Sequence, residues 1–237
     1  MPIEYLKWRN HHVKIERKRF YRRIAVYVEP NESLRLKSAV LTRKTQLLDF
    51  LDQHATWIER QVATFQQMKR QYPQPQYEFG EKFPLLGRWV QVLPTEKKHF
   101  YLQEDKLFLP IRQNFKQELL KAYKKMAEDY LPLRVAKWER RMALKARSIK
   151  VRRYKSRWGS CSFERDISLN MKLVAAPTQV LDYVIVHELC HICHMNHSKA
   201  FWSLVAKHCE DYKISRNWLK KNHLYFDFLA KESELYS

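Results

Sequence analysis

Glycine is scarce in this chain, and its scarcity limits the folds that the chain can adopt. The 237 residues contain three glycines, Gly80, Gly87 and Gly159, whereas average usage is roughly 7%. Phosphate-binding loops of the Rossmann and P-loop types need several closely spaced glycines so that the backbone can approach the phosphate. The sequence therefore excludes both kinds of nucleotide-binding loop.

Composition indicates a folded and strongly basic protein. There are 45 Lys and Arg residues against 25 Asp and Glu residues, which gives a formal net charge of +20. Hydrophobic residues make up 45% of the chain and aromatic residues 14%, so the chain has the apolar surface that a disordered basic tail lacks. Because a positive field concentrates anions near the surface, we expect a polyanionic partner or an acidic substrate.

The chain lacks the sequence signals of export and membrane insertion. Its first residues have no apolar segment behind a basic start, and no stretch approaches the ~20 apolar residues that cross a bilayer. The four cysteines are too few for a disulfide-rich secreted domain; they are Cys161, Cys190, Cys193 and Cys209. We expect a cytoplasmic protein with reduced thiols and no membrane partner.

Apolar periodicity predicts a β-rich N-terminal region. Strand-like alternation over residues 12–43 is followed by helical spacing over about 45–70. Short strands are expected over 77–110, after a linker candidate rich in Pro and Gln at 71–76. We therefore assign residues 1–112 to a β-rich region that contains one long helix.

The second predicted region, residues 113–237, mixes helices and strands. Its expected elements are a helix over about 115–144, strands near 148–154 and 167–174, and helices near 178–194, 198–209 and 212–222. Together the two regions predict an α+β protein of two domains.

A histidine cluster in the second region indicates metal chemistry. His187-Glu188-Leu189-Cys190-His191 contains two histidines four residues apart in a predicted helix. Residues at this spacing lie on one helix face, so both imidazoles can bind one metal ion. The Glu188 carboxylate lies beside that face, where it can take a proton from a metal-bound water. We predict His187 and His191 as metal ligands and Glu188 as the catalytic base.

A catalytic zinc takes three protein ligands and a water, so a third ligand is required. His197 lies ten residues after His187 and six after His191, which is the offset found in metzincin peptidases. His194 stands where those enzymes have a glycine that turns the chain. We expect Asn196 to provide the turn instead, since Asn tolerates the left-handed conformation.

Other metal ligands are compatible with the same sequence. Glu210 or Asp211, on the following helix, can supply the third ligand in place of His197, although His197 requires less to be arranged. Cys190 and Cys193 form a Cys-x-x-Cys pair that can contribute to a structural zinc site or to redox chemistry. We favour the three histidines because the cysteine pair overlaps the histidine motif and no second pair exists.

The alternative function is nucleic-acid binding around a structural or vestigial metal. Its support is a run of nine basic residues without an acid over 140–157. These residues are Arg140, Arg141, Lys145, Arg147, Lys150, Arg152, Arg153, Lys155 and Arg157. No helix-turn-helix, zinc-finger or RNP signature accompanies the run, so we favour non-specific contact of nucleic acid with this run over specific recognition.

The motifs around the histidine cluster resemble those of the YgjP-like metallopeptidase family, which is similar to SprT-like and other minimal zincin peptidases. The matching segments are Lys155-Ser156-Arg157-Trp158-Gly159-Ser160-Cys161-Ser162, Ile167-Ser168-Leu169-Asn170, Ala176-Pro177, Asp182 to His191 and Asn196-His197-Ser198. The resemblance is specific over about 150–210. It is looser elsewhere, where the basic β-rich start and Leu85-Leu86-Gly87-Arg88 are also similar to the family.

This resemblance implies a zincin-like catalytic domain, in which the active-site helix packs on a small antiparallel or mixed sheet. It implies one zinc ion bound by His187, His191 and His197, with Glu188 as the catalytic base. It also implies that residues 158–161 lie on or beside the strand next to the active-site helix, where Gly159 permits a close approach.

The sequence thus predicts a zinc-dependent metallopeptidase of the endopeptidase type that acts on peptide or protein substrates. We expect an extended peptide to add to an edge strand near 167–174. Arg157 is a candidate donor to the oxyanion of the reaction.

Overall fold

The computed structural model describes residues 4–29, 31–71, 75–111 and 114–229. The chain has the predicted α+β class, and it separates into two compact units, Met1–Gln74 and Pro75–Ser237. Residues 72–74 of the predicted linker lie outside the described residues, as do residues 112 and 113 at the expected domain boundary.

The first unit contains a four-stranded mixed sheet and two helices. The strands are β1 (Glu4–Trp8), β2 (His11–Lys18), β3 (Ala25–Val28) and β4 (Leu34–Ala39), in the order β1-β2-β4-β3. The helices are α1 (Lys44–Gln53) and α2 (Ala55–Gln71). The single long helix that we expected is therefore interrupted at His54, whose backbone N–H bonds back to Phe50 and Leu51.

The core of the first unit follows the alternation of its strands. Alternate residues of a strand point to the same face of a sheet. The buried face here carries Val13 and Ile15 of β2 and Leu34 and Leu36 of β4. Leu47, Leu51 and Ile58 from the two helices complete this cluster. β1 was missed, although its buried Leu6 and Trp8 alternate with exposed residues, because an alternation over five residues is too short to be distinctive.

The second unit begins with another four-stranded mixed sheet. Its strands are β5 (Lys82–Leu85), β6 (Arg88–Thr95), β7 (Tyr101–Gln103) and β8 (Lys106–Pro110), in the order β5-β6-β8-β7. This sheet was expected to belong with residues 1–112, but it lies in the same compact unit as the histidine motif.

Contacts of the β5–β6 hairpin explain this division. Leu86 and Gly87 both have positive φ angles, 50° and 85°, and they form the two-residue turn of the hairpin. The Leu86 N–H donates to the Val174 carbonyl at 2.7 Å, and the buried Tyr123 hydroxyl donates to the Pro84 carbonyl at 2.6 Å. These bonds connect the sheet to the later helices, although no pattern in the local sequence specifies them.

A long helix and a small mixed sheet follow. Helix α3 (Phe115–Met142) precedes β9 (Ser148–Arg152), β10 (Gly159–Cys161) and β11 (Asp166–Asn170). The three strands are arranged in the order β10-β11-β9, with β10 antiparallel and β9 parallel to β11. The expected edge strand near 167–174 is therefore wrong, because β11 is paired on both sides and Met171–Ala175 forms a 3₁₀ helix.

Three helices complete the described part of the second unit. They are α4 (Thr178–Cys190), α5 (Lys199–His208) and α6 (Tyr212–Lys221), and a 3₁₀ helix spans His223–Leu229. α4 contacts β10 and β11 of the small sheet and also contacts α3, α5 and α6. Among the helices of the described residues, none combines the length and apolar character that crossing a membrane would require.

Candidate metal centre

The end of α4 carries the His-Glu-x-x-His sequence. α4 begins after Pro177 and buries an apolar stripe that includes Val184 and Leu189. It ends at Cys190 rather than near 194, but the next residue, His191, keeps helical dihedral angles of φ −66° and ψ −17°. His187 and His191 therefore retain the four-residue spacing that places both on one face.

The structure brings His197 to these two histidines. One nitrogen from each of His187, His191 and His197 lies within 4.8 Å of the others. The Nε2 atoms of His187 and His197 are 3.1 Å apart. In the described ranges this is the one group of three or more His, Cys, Asp or Glu side chains with such convergence.

The imidazoles fit a divalent metal ion. Nδ1 of His191 lies 3.0 Å from the His194 backbone carbonyl. Because a carbonyl can only accept a hydrogen bond, Nδ1 carries the proton and donates, and Nε2 of the neutral ring keeps a free lone pair. Nδ1 of His187 is buried with no hydrogen-bond partner among the described residues, and its Nε2 faces the cluster. Three convergent imidazole nitrogens are a donor set that zinc commonly uses.

Burial and mutual repulsion keep the two helix histidines neutral. Burial, followed by the charges of His191, His197 and Arg216, lowers the pKa of His187 to about 3. Burial also lowers the pKa of His191, although its bond to His194 opposes the shift. Because a histidine must be neutral to bind a metal, these shifts prepare the site for metal binding.

Aromatic side chains of α5 hold the imidazole rings in place. Phe201 is fully buried and stacks on His191 with 4.5 Å between ring centroids. Trp202 stacks on His197 at 5.6 Å and on Tyr212 of α6 at 5.3 Å. The Ser198 side chain caps α5 by accepting from the Phe201 N–H, and this cap fixes the helix start next to His197.

Glu188 lies against the edge strand β10 rather than in open solvent. It is 6% exposed, and burial raises its pKa to about 8, an effect that the Arg157 charge opposes. A Cβ atom on Gly159 would lie 2.5 Å from Oε1 of Glu188 and 2.7 Å from its Cγ. Gly159 therefore provides the space for this carboxylate; the sequence indicated a close approach here but not which group approaches.

Buried Asn170 holds the segment that leads to Gly159. Its side-chain amide donates to the carbonyls of Tyr154 at 3.0 Å and Arg157 at 2.8 Å, and its backbone N–H donates to Trp158 at 2.8 Å. Arg157 itself is exposed, with its guanidinium 5.6 Å from the Tyr154 ring.

The other predicted residues do not join the cluster. Glu210 and Asp211 are exposed and stand outside the histidine group, as do the free thiols Cys190 and Cys193. The left-handed conformation expected for Asn196 is wrong, since Asn196 is not among the residues with positive φ. The chain turns earlier, where N–H groups after α4 bond to the Leu189 and Cys190 carbonyls.

A cavity beside the cluster contains two cationic residues that sequence reasoning missed. It has a volume of about 340 Å³. It is lined by Trp158, Gly159, Tyr183, Val184, His187, Glu188, Arg216, Leu219 and Lys220. Arg216 and Lys220 lie four residues apart on α6, and this spacing was visible in the sequence, but the direction in which that helix face points was not.

The basic run over 140–157 spreads over the end of α3, strand β9 and the following segment. Its lack of acids in sequence is partly offset in space, because Lys145 pairs with Glu139 at 2.9 Å and Arg147 pairs with Asp166. Lys150 and Arg152 are exposed on β9. Non-specific binding of nucleic acid by this run stays a prediction.

Comparison with known proteins identifies the family. The model of the YgjP-like metallopeptidase domain matches residues 22–222, from the first unit to the end of α6. The chain therefore belongs to the YgjP-like metallopeptidase family, as its motifs predicted.

One solved structure and a search of curated proteins complete the comparison. The crystal structure of the metallopeptidase zymogen of Pyrococcus abyssi abylysin is 22% identical and gives a TM-score of 0.32. The match covers 40% of this chain and 94% of that one. No curated protein matches the chain.

Proposed function

We propose that this chain is a zinc-dependent endopeptidase in which His187, His191 and His197 bind one zinc ion and Glu188 is the general base. The observation that carries the proposal is the convergence of the three imidazoles within 4.8 Å, next to a buried carboxylate. Membership of a metallopeptidase family supports the same assignment.

Zinc bound by these histidines would polarise the scissile carbonyl and lower the pKa of a bound water toward ~7. The protein's own part in the reaction is to move and hold the proton. Glu188 takes a proton from the attacking water and returns it to the leaving amine when the peptide bond breaks.

The substrate peptide is proposed to lie along β10. β10 is at the edge of the three-stranded sheet, and Gly159 on this strand lies against Glu188. An extended peptide that adds to a free strand edge satisfies its backbone hydrogen bonds without requiring a particular sequence. This position replaces the predicted addition to β11.

Glu188→Gln tests the proposed function. The variant keeps the shape of the side chain but cannot accept the proton, so we expect peptide hydrolysis to fall by roughly 10²–10⁴-fold with zinc content unchanged. Hydrolysis of unstructured peptides and zinc per chain are measured together. Glu164→Gln, an exposed acid in the same unit, is the matched control and should keep full activity. Undiminished turnover in Glu188→Gln would refute the general-base role.

A further inference from the structure

We propose that Arg216 and Lys220 bind a carboxylate of the peptide substrate in the cavity beside Glu188, so that the enzyme selects acidic peptides. The carboxylate is either an acidic side chain or the C terminus of the substrate. This inference rests on the proposed peptidase function and adds the class of substrate.

The location of the cavity supports a role in substrate selection. His187, Glu188 and Gly159 form part of its lining, so a group bound there lies next to the predicted reaction site. Its volume of about 340 Å³ lies at the lower end of the range for small-molecule sites, about 300–1,000 Å³, and is sufficient for one or two amino-acid side chains.

Helix α6 directs the two cations into this space. Tyr212, Arg216 and Lys220 succeed one another at four-residue intervals and therefore share one face of the helix. Tyr212 fixes the orientation of that face, since its ring stacks on Trp202 of α5 and on Tyr183 of α4. The Arg216 guanidinium is held 4.9 Å from the centre of the Trp202 ring.

Neither cation forms an ion pair with an acid in the part of the chain that the structure describes. Among the ion pairs of the described residues, none includes Arg216 or Lys220, whereas Arg134 in the same unit is bound by Asp182 at 2.6 Å. The one acid in the cavity lining, Glu188, is buried against Gly159. Two positive charges in a concave site, without an acidic partner among the described residues, favour an anionic ligand.

The remaining walls indicate a carboxylate on an apolar stem. Trp158, Tyr183, Val184 and Leu219 line the cavity with apolar surface. An acidic side chain or a chain terminus can contact these walls with its carbon atoms while its oxygens reach Arg216 and Lys220. Charge-assisted hydrogen bonds of this kind are about twice as strong as neutral ones.

Binding to the zinc-loaded Glu188→Gln protein tests the proposal separately from turnover. The probes are fluorescent peptides that differ only by Glu or Gln at one position, scanned along the peptide, and by a free or an amidated C terminus. We expect at least one carboxylate-bearing peptide to bind about tenfold more tightly than its neutral counterpart. The pair that shows the preference distinguishes a side chain from a terminus as the source.

Substitutions in α6 assign the preference to the cavity. In the Arg216→Gln/Lys220→Gln variant, the dissociation constant of the neutral peptide divided by that of its carboxylate-bearing counterpart should fall toward one. The control Lys213→Gln/Lys221→Gln removes the same charge from exposed positions of α6 that do not line the cavity, and it should keep the ratio. Zinc content of each variant verifies that the site is folded.

Several outcomes would overturn the proposal. They are a ratio near one in the parent protein, an equal fall in the control variant, and an equal loss for acidic and neutral peptides in the Arg216→Gln/Lys220→Gln variant. An oligonucleotide that binds through the same two residues, without any peptide preference, would reassign the cavity to nucleic acid.

The failure of this inference can be distinguished from the failure of the proposed function. If neutral peptides are hydrolysed by the wild type without any carboxylate preference, this inference fails and the proposed function stands. If no peptide is bound or hydrolysed, both fail.

Discussion

The two four-stranded sheets of this protein have the same topology but different contacts. β1-β2-β4-β3 in the first unit and β5-β6-β8-β7 in the second share their strand order, with antiparallel outer pairs and a parallel central pair. Strand order therefore does not distinguish the sheet that lies next to the proposed metal centre from the other sheet. The two sheets differ in the contacts that the first hairpin turn of each one makes.

The first turn of each sheet contains two residues. In the first unit the turn is Arg9-Asn10, both exposed, and Arg9 pairs with Glu59 of α2. In the second unit the turn is Leu86-Gly87, and a Cβ on Gly87 would lie 3.3 Å from the Pro177 Cα at the start of α4. The second sheet is thus attached to the helix that carries the histidines, and a glycine makes the attachment possible.

The largest effect is expected beside the proposed metal centre, at Gly159. Its φ is not in the left-handed region, so an alanine is acceptable to the backbone, but the new Cβ would overlap Glu188. Displacing a catalytic group by about 1 Å can lower the rate by about 10²-fold. We expect Gly159→Ala to lose peptide hydrolysis to this extent and to keep its zinc, as measured by kcat and metal content.

Gly80→Ala is the matched control for Gly159→Ala. Gly80 has φ +101° and nothing within 4 Å of the position of a Cβ, so this alanine introduces backbone strain without a clash. It should lower stability by about 1 kcal/mol and leave the activity of the folded protein unchanged. Equal activity losses in the two variants would mean that crowding of Glu188 is not the cause.

A smaller effect is expected at the hairpin turns themselves. Gly87→Ala forces a non-glycine residue into φ +85° beside Pro177, which should cost about 1–3 kcal/mol. We expect faster hydrogen exchange in the first turn of α4 and weaker zinc binding. Asn10→Ala, in the corresponding turn of the first sheet, should change stability by less than about 0.5 kcal/mol. If the two turns respond alike, the contact with Pro177 has no special role.

The smallest effects concern pH, and they have opposite signs in the two units. In the first unit, the hydrogen bond from Arg17 lowers the pKa of Glu4. Glu4 therefore stabilises the fold at pH values above its unfolded-state pKa, and this contribution is lost as the pH falls through its folded-state pKa. Burial raises the pKa of Asp227 in the second unit to about 6, opposed by Lys172. The folded state then binds more protons than the unfolded state, so stability falls as pH rises from about 4 to 6.

Amide substitutions of Glu4 and Asp227 should change the free energy of unfolding in opposite directions. At pH 7, Glu4→Gln should destabilise its unit by less than about 1 kcal/mol because the ion pair is partly exposed to solvent. Asp227→Asn should stabilise its unit by on the order of 1 kcal/mol, and both differences should shrink at pH 4. Urea unfolding resolved by unit through pulsed hydrogen exchange measures both. A destabilising Asp227→Asn at pH 7 would contradict the burial argument.

The sequence predicted what depends on local spacing. The helical positions of His187, Glu188 and His191 follow from a four-residue repeat, and His197 follows from a known offset; the structure brings the three histidines together. The helix over Phe115–Met142 was also expected. Periodicity within one segment is sufficient for such features, because they require no knowledge of distant partners.

Features that depend on pairing between distant segments were not predictable. β11 was taken for an edge strand because the sequence does not show that β9 and β10 flank it. The domain boundary was expected after residue 112. The sequence does not show that Leu86 bonds to Val174, because the two residues are 88 positions apart in the chain. Arg216 and Lys220 were missed for the same reason, since helical spacing does not reveal which face meets the cavity.

Zinc stoichiometry is the most direct test of the central claim that three histidines of the second unit form the metal site. Metal per chain is measured for the wild type, for single alanine variants of His187, His191 and His197, and for His12→Ala on the first sheet as control. We predict one zinc per chain in the wild type and in His12→Ala, and at least tenfold weaker binding in each of the other three variants. Stoichiometric, tightly held zinc in the His187, His191 and His197 variants would contradict the account.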